Sequence, residues 1–258
     1  MRAALANAWV AVPARATGGP SFVGKLSEAP KTAAARVPVV VFPHGSSGIN
    51  DAIKSWQKWL ADEVGIASIR LDSMQLRDRL TYTSPVAKHV YEKLHALRAQ
   101  EIRAAVAAVR ALAWADPARI IVAGTSEGAV SVARYQAADG APREIARIIY
   151  SWSCEPNYHV ETPRTAIPDT MRLLNVMSST DPYFAQSNAW LGNPAAKGHC
   201  GEALKDNKMA EIVLLPQAPH TLFNLPADPR RHQGFPAADT RLNEHEPAPV
   251  WSSLASPT

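Results

Sequence analysis

The sequence predicts an α/β fold, a mostly parallel central sheet with helices on both faces. Two observations carry this reading. Apolar, β-branched runs alternate with amphipathic stretches along most of the 258 residues, the pattern of repeated strand–helix–strand units. One run, Val37-Pro38-Val39-Val40-Val41-Phe42, has no polar face, as a strand buried on both sides requires. At 47% hydrophobic and 19% charged residues, the chain can build a sizeable core and is too apolar for intrinsic disorder.

The elements follow in order. Residues 8–14 and 21–26 read as a short strand pair around the turn cluster Thr17-Gly18-Gly19-Pro20, whose glycines and proline break regular structure. The apolar run at 37–42 is the next strand. A helix is predicted over 52–63, with Ile53, Trp56, Trp59 and Leu60 at helical spacing. Ile66 to Leu71 is a strand. A long helical pattern covers 88–113 and closes at Asp116-Pro117, because the residue before proline avoids the helical region. A strand at 119–123 and a helix at 127–137 come next, then strands at 146–153, 171–178 and 210–215. No internal repeat or interdomain linker appears, so residues 1–258 are expected to form a single domain. Residues 226–258 form a proline-rich extension with few apolar positions, expected to wrap the surface or be partly irregular. A short helical pattern falls within 237–246.

Several function classes are disfavoured. No apolar run approaches the ~18 residues of a membrane-spanning helix. The formal net charge is +4, but lysine and arginine are scattered without the stripe that nucleic-acid binding calls for. The two cysteines, Cys154 and Cys200, allow one bridge or two free thiols. They form no Cys-x-x-Cys pair, so neither a zinc site nor a redox motif is expected. The opening Met1-Arg2-Ala3-Ala4-Leu5 resembles a signal peptide superficially. Trp9 to Val12 reads better as a first strand, and the N-terminus is taken as mature sequence.

The chemistry-bearing motif is Gly124-Thr125-Ser126-Glu127-Gly128, which fits Gly-x-Ser-x-Gly between a predicted strand and a predicted helix. The turn it makes is tight, and small residues two before and two after the serine let the chain cross itself. Ser126 would stand at the C-terminal edge of the sheet and at a helix N-terminus, where the dipole favours developing negative charge. An alkyl hydroxyl is a weak nucleophile near neutral pH and needs a base. Of eight histidines, His220 follows the 210–215 strand after a short loop and reaches the same edge. His89 and His95 are expected on the surface of the long helix, and His232 and His245 lie in the polar tail. An acid must then orient the imidazole. Asp181 follows the preceding strand, and Glu155 is the rival. The order Ser126, Asp181, His220 leaves a strand, a helix and loops in each gap. Two backbone donors would hold an oxyanion: the N–H of Glu127, and that of Ser46 in the loop Pro43-His44-Gly45-Ser46. His44 is read as a structural loop residue rather than a second base.

On these residues the chain resembles the α/β-hydrolase superfamily, and within it the dienelactone hydrolase-like family with its secreted relatives. The resemblance spans about residues 20–225. It rests on Val39 to Gly45, on Leu71-Asp72-Ser73 with Arg77, on the Ser126 motif, on Ser179-Thr180-Asp181-Pro182 and on Ala218-Pro219-His220-Thr221-Leu222-Phe223. It implies the α/β-hydrolase fold, no cofactor or metal, a disulfide between Cys154 and Cys200, and an exported protein, periplasmic or secreted. Free thiols would instead leave the cytoplasm open. The founding members use a cysteine nucleophile. Serine at 126 favours general carboxylic esters over dienelactones.

The expected function is hydrolysis of small-molecule carboxylic esters through Ser126, His220 and Asp181 and an acyl-enzyme. A peptidase or thioesterase of the same fold would use the same groups, and a non-catalytic binding protein is the rival of different class. No nucleic-acid or membrane partner is expected, and the sequence sets no oligomeric state. Loops 74–90 and 155–170 are candidate lids. Tyr82, Trp152, Tyr158 and Tyr183 are candidate pocket walls, although packing roles are favoured for each. Arg77 and Arg79 are candidates to meet a substrate carboxylate, although a structural ion pair with Asp72 or Asp78 is favoured.

Overall fold

The computed structural model describes residue 5, residues 7–185 and residues 195–224. Its centre is an eight-stranded sheet: β1 (Trp9–Val12), β2 (Phe22–Lys25), β3 (Val37–Pro43), β4 (Ala67–Leu71), β5 (Ala115–Thr125), β6 (Ala146–Tyr150), β7 (Arg172–Ser178) and β8 (Ala210–Leu215). The spatial order is β2-β1-β4-β3-β5-β6-β7-β8. β1 runs antiparallel to both β2 and β4. All pairings from β4 to β8 are parallel. The α/β reading is therefore correct, strand by strand. The β1–β2 hairpin turns where expected, with Gly18 at φ 74°, a left-handed conformation that glycine adopts without a Cβ clash.

Side chains alternate across β3, as the two-residue period of a strand dictates. Val39 and Val41 join a core cluster with Ile102, Ala105 and Val109. Val40 and Phe42 face the other way, towards Ile53 and Leu60. All seven residues of β3 are buried, which explains why its sequence carries no polar face.

Among the described residues the three longest helices cover the sheet: α1 (Asp51–Trp59), α2 (Lys88–Arg110) and α3 (Glu127–Arg134). α1 starts where the Asn50 side chain accepts the Ile53 N–H at 3.0 Å, satisfying one of the orphan donors of a helix start. It continues into a wider turn, Leu60–Val64, and stops at Gly65, φ 73°. α2 buries one stripe that includes Leu94, Ile102, Ala105 and Val109. α3 is buried from Glu127 to Ala133. Predicted boundaries shift at several elements: the strand read over 8–14 ends at Val12 and a short helix, Ala14–Thr17, follows it; the long helix ends at Arg110 rather than 113; β5 starts earlier than residue 119; the helix read over 127–137 ends at Arg134; and β6 ends at Tyr150 rather than 153. The extension at 226–258, with its helical pattern at 237–246, lies outside the described residues. Among the described residues no helix is long and apolar enough to cross a membrane.

Candidate active site

The C-terminal ends of the parallel strands share one edge of the sheet, where open α/β sheets place their ligand sites. β5 delivers Ser126 to that edge at φ 53°, ψ −122°. This is a sparsely populated conformation for a residue with a side chain, costing about 1–3 kcal/mol and held only by its surroundings. The surroundings are visible. Ser126 N–H donates to the Tyr150 carbonyl at 3.0 Å, and the Ser126 carbonyl accepts from Ala129 and Val130. The flanking glycines are steric necessities. A Cβ on Gly128 would lie 2.3 Å from the Pro43 carbonyl oxygen, and one on Gly124 would lie 2.8 Å from Gly128. The strand-to-helix crossing is too close for any side chain there.

His220 sits beyond β8 on a loop pinned from two strands. Ser151 Oγ donates to the His220 carbonyl at 2.5 Å, and Ser178 Oγ donates to the Ala218 carbonyl at 2.5 Å. Phe223 anchors the far side of the loop against Phe42, Trp56 and Tyr150. The imidazole itself packs edge-on to Tyr183, with ring centroids 4.7 Å apart.

Asp181 is buried beyond β7, and its Oδ2 lies 2.7 Å from His220 Nδ1. Its other oxygen, Oδ1, accepts the N–H groups of Tyr183 at 2.8 Å and Phe184 at 3.0 Å. Asp181 is thus both a turn-capping aspartate and the imidazole's partner. The rival acid, Glu155, is spent elsewhere: its carboxylate accepts the N–H groups of Lys197 and Gly198.

Ser126 and His220 both line a cavity of about 370 Å³. The loop after β3 forms another wall. Gly48 N–H closes a turn onto the Gly45 carbonyl at 3.2 Å, a bond that does not use the Ser46 N–H, and Ser46 lines the cavity. Glu127 is the first residue of α3, so its N–H is one of the donors a helix start leaves without an intrahelical acceptor. This loop lies against the elbow at Gly45, where a Cβ would meet Ser126 Cβ at 3.4 Å, an ordinary van der Waals contact.

His44 holds the loop in place and is neutral. Its Nδ1–H donates to the Gly45 carbonyl at 2.6 Å, while Nε2 accepts the Ser73 N–H at 3.1 Å and faces Ser73 Oγ at 2.9 Å. Burial, with Arg98 nearby, pulls its pKa down to about 3. The structural reading of His44 holds.

The side chain of Glu127 is the residue role that sequence reasoning missed. It lies 4% exposed beneath the elbow. Its Oε1 accepts from Arg98 Nη1 at 2.8 Å and Arg79 Nη1 at 2.9 Å, and its Oε2 accepts the Tyr82 hydroxyl. Burial alone would raise the carboxyl pKa; the two guanidiniums override it and hold the group well below the usual carboxylate range. Arg98 Nη1 also donates to the His44 carbonyl at 2.6 Å. One carboxylate therefore ties together α3, the loop after β3 and the segment bearing Tyr82. A signal existed: Arg98 and Glu101 sit on the apolar stripe of α2 between Leu94 and Ile102.

Three expectations need correction. Arg79 pairs with Glu127, not with Asp72 or Asp78, because the chain after β4 folds inward over the elbow; Arg77 is exposed. His95 is fully buried, not on the surface. It faces His159 at a ring distance of 5.4 Å, and burial takes both imidazoles down to about 3. Tyr82, Tyr158 and Tyr183 line the cavity, whereas Trp152 does not and packs in the core. Cys154 and Cys200 are joined by a disulfide, as the family resemblance implies. His232 and His245 lie outside the described residues.

No protein-family model matches the sequence, and no curated protein matches it. Solved structures do match the fold. Esterase 2 of Thermogutta terrifontis, propionate-bound, superposes with a TM-score of 0.52 at 15% identity, covering 85% of this chain and 81% of that one. Its tabun-treated form gives 0.54 at 14% identity, covering 86% and 82%. A dienelactone hydrolase-like promiscuous phosphotriesterase from metagenomic libraries gives 0.49 at 18% identity, covering 78% and 77%. With the sheet order above, the two esterase 2 likenesses establish that the chain has the α/β-hydrolase fold.

Proposed function

We propose that this protein is a serine hydrolase of carboxylic esters, with Ser126 as nucleophile, His220 as base and Asp181 as the acid that orients it. One observation carries the reading. A serine in a strained strand-to-helix turn and a histidine locked to a buried aspartate at 2.7 Å face the same cavity.

The Asp181–His220 contact supports one path for the proton. With Asp181 accepting from Nδ1, that nitrogen carries the hydrogen and Nε2 keeps its lone pair as the basic nitrogen. Nε2 takes the Ser126 proton as Oγ attacks the acyl carbon. The tetrahedral oxyanion is held by the N–H groups of Glu127 and Ser46, reinforced by the α3 dipole. His220 then protonates the departing alcohol. Water repeats the sequence and releases the acid. No step calls for a metal or cofactor. Shared fold with an esterase supports the reading, as does the resemblance to serine-bearing dienelactone hydrolase-like proteins. The disulfide supports an exported protein, since such bonds persist in oxidising compartments.

The test is hydrolysis of p-nitrophenyl acetate, butyrate and octanoate by the parent and by Ser126→Ala. The parent should turn over, and the variant should lose about 10³-fold or more in kcat. A cavity of about 370 Å³ is near the small end for ligand sites, so acetate and butyrate should outpace octanoate. Equal rates for parent and variant would refute the assignment. Turnover of thioesters or peptides in preference to all three esters would move the substrate class while leaving the site intact.

A further inference from the structure

A second cavity, of about 470 Å³, lies on the other side of the segment that follows the oxyanion loop. Gly48, Asn50 and Ile53 line the reaction cavity, whereas Ile49 and Lys54 line this one. Its floor is a row across three neighbouring strands. Lys25 on β2 is paired with Trp9 on β1, and Trp9 is paired with Arg70 on β4. Directly opposed residues project to the same face of a sheet, so the three side chains stand side by side. All three line the cavity, together with Lys54 and Asp72.

Arg70 is the anomaly. It is 1% exposed, with its guanidinium carbon 5.5 Å from the Trp9 ring centroid. Its Nε and Nη1 are buried and have no hydrogen-bond partner among the described residues. Burial brings its pKa down to about 10, which still leaves it charged at neutral pH. A buried cation without a hydrogen-bonded counter-charge is costly. The nearest carboxylates are engaged with other donors. Asp72 accepts the Met74 N–H at 3.1 Å and Gln75 Nε2 at 3.2 Å, and Asp51 accepts from Lys54 at 2.6 Å. The Lys54–Asp51 pair is exposed, so it holds the lysine only weakly. Three cations thus converge on a space with a single lining carboxylate among the described residues.

We propose that this cavity is a binding site, separate from the reaction cavity, for a small oxyanion such as a carboxylate or phosphate, with Arg70 as its anchor and Lys25 and Lys54 at its rim. A guanidinium gives such a group charge-assisted N–H bonds, stronger than those between neutral partners. The Trp9 ring stands within cation–π range of the guanidinium.

The experiment is calorimetric titration of the intact protein with inorganic phosphate and, separately, with propanoate, at constant ionic strength, with chloride as the screening control. Melting temperature is followed in parallel, since an anion that binds only the folded state raises it. One saturable site is expected for at least one oxyanion and none for chloride; which oxyanion binds identifies the source of the ligand. Arg70→Gln should weaken binding about 10-fold or more, the scale of a charged hydrogen bond. Lys54→Gln should weaken it about two- to fivefold, the scale of an exposed charge. Ser126→Ala should bind as the parent does, which keeps this test independent of ester hydrolysis. If Arg70→Gln does not fold, the Lys25→Gln and Lys54→Gln variants decide. Absence of saturable binding, or binding that ignores all three basic residues, overturns the proposal.

Discussion

Glu127→Gln is the most informative perturbation, because this carboxylate is the hub beneath the elbow. Glu127 and Arg79 side chains are each 4% exposed, and that of Arg98 is fully buried. The substitution keeps size and shape but removes the charge that two buried guanidiniums face at 2.8 and 2.9 Å. Breaking a buried pair by removing one partner costs about 3–5 kcal/mol, because the remaining charge is left uncompensated. That is a large share of the ~5–15 kcal/mol that holds a typical native state together. Urea unfolding followed by circular dichroism gives the number directly. Arg79→Met should cost less in the Glu127→Gln background than in the parent, with a coupling of about 0.5–3 kcal/mol. The pH dependence has a fixed sign. The folded carboxyl is depressed, so its contribution is present above about pH 4.3, the unfolded value, and is lost as pH falls through the lower folded value. The Tyr82 hydroxyl also loses its acceptor, so KM for esters should rise. A cost below about 1 kcal/mol, with no coupling to Arg79, would refute the network as a structural hub.

Three further predictions follow from other contacts. His44, His95 and His159 have folded pKa values near 3 through burial. The unfolded chain therefore binds their protons first as pH drops below about 6.5, and each should remove about 2 kcal/mol of stability by pH 5; an unfolding free energy flat from pH 7.5 to 5 contradicts this. Asp181→Asn should keep a turn-capping oxygen but favour the wrong imidazole tautomer, lowering kcat by about 10⁴, as steady-state kinetics on p-nitrophenyl acetate would measure. Reducing the Cys154–Cys200 bond, which closes 46 residues of sequence, should cost about 2–4 kcal/mol by loop entropy; an unchanged melting temperature under reductant would remove that contribution.

Much of the molecule can be read from the chain because its signals are local. The all-apolar run at 37–42 announces a strand buried on both faces, since no polar side chain is available for either. Gly124 and Gly128 announce the elbow, since only glycine fits where Cβ atoms would fall within 2.8 Å of backbone. The placement of Ser126, Asp181 and His220 after three strands forecasts their meeting, because parallel strands share one C-terminal edge. Tertiary structure alone decides what depends on distant charges meeting in a dry interior. Neither Arg79 nor Arg98 shows by its position that it meets Glu127, because the attraction exists only once β4, α2 and α3 have packed. His95 reads as a surface residue because a charged-looking position on a helix is normally solvated; its burial comes from the segment around His159 folding over α2. Arg70 on β4 likewise gains its meaning only when Trp9 and Lys25 arrive beside it from β1 and β2. Period and steric exclusion are written residue by residue along a chain, whereas desolvation and ion pairing belong to the folded neighbourhood.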